Sequence, residues 1–540
     1  MFRSLCIKSD CRIAARLRGC VIVAAMLASF SAEAAYRKGE LLWKCDFTQA
    51  EAAKHGVADR RLGDAVSGIA YLPNDGKSGD GALFFRTLNE KQSAKVMIVP
   101  DVKLSGIVQI EADVKGVGIE RGPQHFTGPK VMFPFNPKPN ARKVFPQLPT
   151  ELGTFDWKTW IKVQSIPETA EGFSFVLGIE LAPGEFWVDS VRVYRAEEAP
   201  DGEAVVPPAN EAAKRIPRGP YADKPRLGGR RGVMSGNEMG EDSIANLADA
   251  WGANLVRLQI GGTDFRNSET MEDWFAVLEK KLEWVRDVMD RCQRHGVKVI
   301  IDLHAGPKCK ATKHGSNVLP ADYDSADLRR AWRMIATRFK DHPATYAYDI
   351  LNEPSVAPET WKRVCLEVMA DVRKIDADTP FMMESVKHWY EGENVIYSPH
   401  FYSPHTLTHF GVGGGSNQIR WSYPGYIDGV YWDREQMRVA LKQYIDFQTA
   451  HPGAKFCVGE FSCILWTKGA DKWIRDAISV FEEYGWDWCY HAYREWPPWS
   501  VECDHDENYT IGKWIKATGE TDRKAMLLKG LSLNRSGKRD

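Results

Sequence analysis

From Arg226 onward, eight short apolar runs of β type alternate with segments of helical period. The runs are Gly232–Ser235, Asn254–Ile260, Val297–His304, Tyr346–Leu351, Phe381–Val386, Val395–His400, Ala454–Phe461 and Trp486–Tyr493. Between them lie amphipathic stretches such as Met271–His295, Ala326–Lys340, Glu359–Ile375, Asp433–His451 and Asp471–Tyr484. A strand that is apolar throughout must be covered on both faces, as parallel strands backed by helices are. Eight such units over residues 226–540 predict an α/β fold, a (β/α)8 TIM barrel. The competitor, an open doubly wound sheet, wants a Gly-rich phosphate turn after its first strand. Gly232-Val-Met-Ser-Gly-Asn237 lacks that spacing.

The chain ahead of the barrel reads differently. Residues 36–195 alternate short β-like runs with Gly, Pro, Asn and Asp turns, which predicts an all-β sandwich of jelly-roll type. Its last run, Gly184–Tyr194, resembles the closing strand of carbohydrate-binding modules, so sugar binding and a purely structural role both stay open. Residues 196–225 carry six prolines and little to bury, and are expected to be a linker. Residues 1–34 have the form of a secretory signal: Arg3, Lys8, Arg12, Arg16 and Arg18 precede the apolar stretch Cys20–Phe30, and Ala32-Glu33-Ala34 follows. The apolar stretch is about half the ~20 residues a membrane span needs. The expectation is a secreted protein, extracellular or periplasmic, with no membrane attachment after signal removal.

Charge narrows the partners. Lys and Arg number 71 against 72 Asp and Glu, leaving no basic excess for a phosphate backbone, so nucleic acid is not an expected partner. The 44% hydrophobic and 26% charged fractions exclude a disordered chain. Nineteen Trp, 18 Tyr and 23 Phe suit a core but also a ligand on which rings can stack. Eight cysteines follow the signal; none has zinc or redox spacing, and bridges and buried thiols are equally compatible with the count.

In a parallel barrel the chemistry sits where strands end. The second run carries Arg257, the third ends in Asp302-Leu-His304, and the fourth in Leu351-Asn-Glu-Pro354. The sixth carries His400-Phe-Tyr402, the seventh Val458-Gly-Glu-Phe-Ser462, and the eighth Trp488–Arg494. Glu353 and Glu460 each interrupt or close an apolar run, a costly place for an unneeded charge. Two carboxyls across a barrel mouth suit glycosidic cleavage. One protonates the leaving oxygen, while the other stays ionised to capture an oxocarbenium-like centre. Arg257 supplies charge that would keep one of them ionised.

These motifs resemble glycoside hydrolase family 5, the cellulase-type retaining β-glycosidases with glutamates on strands four and seven. The resemblance covers about residues 230–510 and is carried by Arg231-Gly-Val, Asn254-Leu-Val-Arg257, Asp302-Leu-His304, Leu351-Asn-Glu-Pro354, His400-Phe-Tyr402 and Gly459-Glu-Phe461. It implies Glu353 as acid/base, Glu460 as nucleophile, and Asn352 on the sugar hydroxyl next to the anomeric carbon. It further implies Tyr402 and Arg257 orienting Glu460, with His304 and His400 lining the subsite of the cleaved bond. One departure stands out. Where the family commonly places a Trp after its eighth strand, this chain has His491. Trp488 or Trp496 is then the candidate sugar platform, with Glu495 as a hydroxyl ligand and Trp389 as a further substrate contact.

Other chemistries find less support. His304, His314, His400, His405 and His409 make no metal pair on one strand or helix; His405 and His409 have four-residue spacing in what reads as a loop. No Gly-x-Ser-x-Gly turn appears, and Gly411–Ser416 lacks the Lys and helix of a phosphate loop. No cofactor and no catalytic metal are expected, and no ligand pattern supports a structural calcium in the sandwich. The reading is a secreted, monomeric glycosidase acting on oligo- or polysaccharide, with β-1,4-glucan as default substrate. Mannan, another β-glycan, transglycosylation or a non-catalytic sugar-binding barrel are the alternatives.

Overall fold

The computed structural model describes residues 36–57, 66–123, 126–198, 210–237, 239–311, 316–384, 386, 388–412, 419–428 and 430–535. The segment expected to be a signal lies outside them. The eight apolar runs close into one parallel barrel: β1 (Arg231–Ser235), β2 (Leu255–Ile260), β3 (Lys298–Leu303), β4 (Thr345–Asp349), β5 (Phe381–Met383), β6 (Val395–Tyr397), β7 (Lys455–Val458) and β8 (Asp487–His491). β8 pairs in parallel with β1, so no edge is left. The helices around it include Met271–Arg294, Ala326–Phe339, Pro358–Val372 and Ala470–Tyr484. The first starts at a full capping box: Asp273 N–H donates to Thr270 Oγ1 (3.1 Å), and Thr270 N–H to the Asp273 carboxylate (3.0 Å).

Strand alternation decides what each strand residue meets. Leu255, Ile300, Ala347, Met382, Ile396, Cys457 and Cys489 form an apolar cluster of their own inside the barrel. Their neighbours, such as Val256, Val299, Tyr348 and Trp488, join the larger core between strands and helices. Two residues further along each strand's inward face come Arg257, Asp302, Asp349, Glu384, Ser398, Gly459 and His491. The barrel interior thus changes from apolar to charged within one pleat repeat, toward the strands' C-terminal ends.

Some expectations needed correction. The single helix expected over 433–451 is two, Arg434–Ala440 and Lys442–Ala450, meeting at Leu441. Residues 384–394, between β5 and β6, carry no helix among the described residues. Asp522–Leu531 forms an unforeseen helix packed on Ala470–Tyr484. His405–Thr408, expected as loop, is a helical turn that stacks the His405 and His409 rings 3.8 Å apart.

The N-terminal region is all-β and antiparallel. One sheet runs Gly68–Leu72, Ala82–Thr87, Gly184–Glu198, Gly106–Ile119, Gly153–Ile166, with Tyr36–Asp46 also on Gly184–Glu198; the other is Ser93–Ile98, Phe175–Glu180, Gly128–Met132. Phe85, Val96, Ile110, Leu177 and Phe186 fill the space between them. The expected linker over 196–225 differs at both ends. Its first residues continue the last strand to Glu198, and Asn210–Pro225 lies against the barrel. There Arg438 Nη2 donates to the Ile216 carbonyl (2.9 Å) and Gly219 N–H to Glu483 Oε1 (2.9 Å). Ala213 and Ile216 are buried, so this Pro-rich stretch has apolar anchors that composition hid. All eight cysteines of residues 36–540 are free thiols. No helix among the described residues is long and apolar enough to cross a membrane.

Candidate active site

Arg257 organises the charged layer. It is fully buried on β2, and its guanidinium reaches residues on or just past four other strands, β3, β4, β5 and β7. Nε donates to Asp349 Oδ2 (2.8 Å), Nη1 to Glu460 Oε1 (2.8 Å) and Nη2 to Asn352 Oδ1 (3.0 Å). Asp302 Oδ1 and Glu384 Oε1 stand 3.3 and 3.5 Å from Nη2. A buried guanidinium is costly unless its planar fork meets anions, and here carboxylates surround it. Burial pushes the Asp349 carboxyl up to about 6, against the pull of Arg257.

Glu460 follows β7 and is 5% exposed. Besides Arg257, the Tyr402 hydroxyl donates to its Oε2 (2.9 Å), and His400 Nδ1 and His491 Nδ1 lie 3.6 and 3.7 Å away. Burial alone would raise its proton affinity. His400, His491, Arg257 and His304 outweigh that and hold the carboxyl well below the ordinary range, so Glu460 is a buried anion. Gly459 makes this possible sterically: a Cβ there would lie 2.6 Å from Ser398 Oγ and 3.0 Å from His400 Nε2.

Glu353 is the more open acid, its side chain 30% exposed. It sits just past β4 at φ 42°, a left-handed conformation costing a non-glycine residue about 1–3 kcal/mol. Its backbone is held from both sides: its N–H donates to Glu384 Oε2 (2.8 Å), and its carbonyl accepts Asn317 N–H (3.1 Å). Ser316 Oγ donates to Oε2 (2.6 Å), and His400 Nδ1 meets Oε1 (3.0 Å). Burial raises Glu353, yet His400 outweighs it and the net direction is down. His400 itself is pushed up to about 10, because Glu384, Glu460 and Glu353 overcome the effect of burial on its charge. One oxygen of Glu353, one of Glu460 and a ring nitrogen of His400 all lie within 4.8 Å of one another. Such a trio has the donor types of a cation site, but Arg257, Tyr402 and Ser316 already engage the carboxylate oxygens. That disposes the trio to handling protons and charge.

At β8, His491 Nδ1 lies 2.6 Å from the Tyr402 hydroxyl and Nε2 3.7 Å from Glu495 Oε1. Glu495 also accepts from Gln259 Nε2 (3.0 Å). Burial works against a charged His491, but Glu495 and Glu460 raise it overall. His304 is fixed through Nδ1 on Asp302 (2.8 Å). Trp496 is exposed near Trp466 and Trp499, and Trp499 lies beside Tyr402 and His491.

Two aromatic expectations fail. Trp488 is fully buried and faces the helix layer, its Nε1 donating to Glu482 Oε1 (2.8 Å), because the odd step along β8 points outward. Trp389 stacks on His451 (4.4 Å between centroids), just ahead of the start of β7, outside the barrel and away from the carboxylates. Neither can touch a sugar at the mouth. Conversely, Glu384, Asp349, Gln259, Ser316, Asn317 and Trp499 join the site without having been foreseen. Asp349 and Glu384 were detectable: each lies two residues past an inward apolar residue, the spacing that relates Leu255 to Arg257. Gln259, a further two residues along β2, was detectable in the same way, whereas Ser316, Asn317 and Trp499 lie outside the eight barrel strands, where no periodicity reports their course.

The sequence model of the family described as Cellulase (glycosyl hydrolase family 5) matches residues 227–495. Cellodextrinase A of Ruminococcus flavefaciens is 24% identical over 274 residues, which is 46% of this chain and 76% of that protein. Endoglucanase A of Butyrivibrio fibrisolvens is 24% identical over 181 residues, 30% of this chain and 37% of that protein. Among solved structures, a glycoside hydrolase aligns over 56% of this chain and 99% of its own, at 20% identity and a TM-score of 0.46. Endoglucanase Cel5A of Thermotoga maritima aligns over 56% and 96%, at 18% identity and a TM-score of 0.43.

Proposed function

The barrel belongs to glycosyl hydrolase family 5, a family of retaining O-glycosyl hydrolases, and on that premise we propose that this chain cleaves a β-linked polysaccharide with Glu353 as acid/base and Glu460 as nucleophile. The observation that carries the assignment is the contrast between two acids within 4.8 Å of each other. Glu460 is a buried anion clamped by Arg257 and Tyr402, while Glu353 is partly open and shares a proton-bearing contact with His400. Retention calls for carboxyl groups roughly 5–5.5 Å apart, leaving no room for an intervening water.

In the first step a Glu460 oxygen bonds the anomeric carbon as the glycosidic C–O bond breaks. The leaving oxygen keeps that electron pair and takes a proton from Glu353. His400, at 3.0 Å, is the ionisable group in hydrogen-bond reach from which Glu353 can draw that proton. In the second step Glu353 removes a proton from water, whose oxygen bonds the same carbon and releases Glu460 as carboxylate. Arg257 and Tyr402 hold the charge Glu460 carries before and after.

The default substrate is a β-1,4-glucan, supported by the names of the two relatives, a cellodextrinase and an endoglucanase. Mannan remains the second reading, favoured by one departure: His491 and Glu495 form a polar wall where an aromatic platform would suit a glucan. Export is part of the proposal and rests on the character of residues 1–34. The test is reducing-end release from β-glucan, mannan, xylan and galactan by the wild type and by Glu460→Gln. Activity on one polymer, lost by about 10³-fold or more in the variant, supports the assignment. Equal activity in both proteins removes Glu460 from the mechanism.

A further inference from the structure

Glu384 follows β5, two residues beyond Met382 on the inward face of the barrel. Its side chain is 8% exposed. One oxygen, Oε2, accepts the backbone N–H of Glu353 at 2.8 Å. The other, Oε1, stands 3.2 Å from His400 Nε2 and 3.5 Å from Arg257 Nη2. His400 turns its second nitrogen, Nδ1, to the Glu353 carboxylate at 3.0 Å. Glu384 therefore reaches Glu353 twice, once through the main chain and once through the imidazole.

Both contacts answer a need of Glu353. Glu353 lies past the end of β4, outside the strand ladder, so its N–H requires an acceptor from elsewhere in the barrel. Its carboxyl requires an imidazole held at one angle, and the ion-pair contact of Glu384 Oε1 with Nε2 at 3.2 Å limits how far the ring can swing about its side-chain bonds. An apolar residue at 384 would fill the same space without desolvating a carboxyl, but would do neither job. The charged and titratable groups around Glu384 are Arg257 on β2, Asp349 on β4, Glu353 beyond it, His400 beyond β6 and Tyr444 in the helix Lys442–Ala450. Of these, only Glu353 and His400 belong to the proton-transfer pair.

We propose that Glu384 is a positioning residue for the acid/base, fixing the left-handed turn at Glu353 and aligning His400 on its carboxyl. This rests on the assignment of Glu353 made above. It predicts damage confined to the step that needs an acid. A 2,4-dinitrophenolate leaves a sugar without proton assistance, whereas phenolate needs it, and kcat/KM reports that bond-breaking step for both.

The test measures kcat/KM for 2,4-dinitrophenyl and phenyl glycosides of the sugar the polymer panel selects, β-cellobiosides for a glucan. The proteins are the wild type, Glu384→Leu, Glu384→Gln and Glu353→Gln. Glu384→Leu is expected to lose about 10²-fold on the phenyl glycoside and less than about threefold on the dinitrophenyl glycoside. Glu384→Gln keeps an acceptor for the Glu353 N–H but puts an amide in place of the carboxyl facing His400, and is expected to lose about tenfold on the phenyl glycoside alone. It carries the test by itself if Glu384→Leu does not fold. Equal losses on both glycosides, or no loss on either, overturn the proposal. Glu353→Gln separates the two levels: if it shows the leaving-group selectivity and the Glu384 variants do not, only the positioning role fails. If Glu353→Gln lacks the selectivity, the acid/base assignment fails and takes the positioning role with it.

Discussion

Tyr402 and Glu460 share a hydrogen bond of 2.9 Å in which the phenol must be the donor. Burial, and then Glu460, push the phenol far above its ordinary value, so it stays protonated. It has one proton to give. The 2.6 Å contact with His491 therefore requires His491 Nδ1 to carry its own hydrogen and donate it to the phenol oxygen. The residue standing where the family commonly has a Trp is thus tied, through Tyr402, to the candidate nucleophile.

Tyr402→Phe removes the proton that Glu460 Oε2 accepts and strands the His491 donor. A hydrogen bond to a charged group contributes about 1.5–3 kcal/mol, so kcat should fall roughly 10- to 10²-fold. Nitrogen NMR of the wild type should show His491 protonated at Nδ1. A hydrogen-free Nδ1, or unchanged kcat in the variant, would contradict the arrangement.

Arg257 faces Glu460, Asp349, Asp302 and Glu384 from within 3.5 Å. Arg257→Met should destabilise the fold by about 3–5 kcal/mol, since it leaves buried carboxylates without their counter-charge. Chemical denaturation gives that number. A loss under about 1 kcal/mol would mean the carboxyls are already neutral in the wild type.

His400 is raised from 6.5 to about 10 in the folded chain. A raised basic group contributes stability that is fully present below about 6.5 and is lost as pH climbs through about 10. The difference in unfolding free energy between wild type and His400→Asn should be largest at acid pH and shrink across that window. A difference that does not vary with pH would show that His400 is neutral in the fold.

The two tryptophans of the eighth-strand region should behave oppositely. Trp496→Ala, at an exposed ring, should raise KM for oligosaccharide roughly 3- to 10-fold with little change in stability. Trp488→Ala, in the helix-facing core, should cost about 3–5 kcal/mol of stability and leave KM of the folded protein unchanged. Measuring both variants in one denaturation and kinetic series decides whether Trp496 is the platform.

The barrel and its two acids were legible because their signals are local. An apolar run that ends in Asn-Glu-Pro or Gly-Glu-Phe states by itself that a charge stands at a strand end. Strand parity was equally available, and reading it along β8 would have sent Trp488 outward and His491 inward. Applied at Met382, the same two-residue step would have exposed Glu384.

What tertiary structure alone decided is which charges meet. Arg257 and Glu460 are 203 positions apart, yet share a 2.8 Å contact because barrel closure carries β2 and β7 to opposite walls of one narrow lumen. The left-handed turn at Glu353, its acceptor on Glu384 and its partners on the loop at Ser316 and Asn317 depend on that closure as well. Periodicity along a chain specifies which face a side chain takes. It does not specify the distance to a residue on another strand, and the proton affinities of Glu353, His400 and Glu460 depend on those distances.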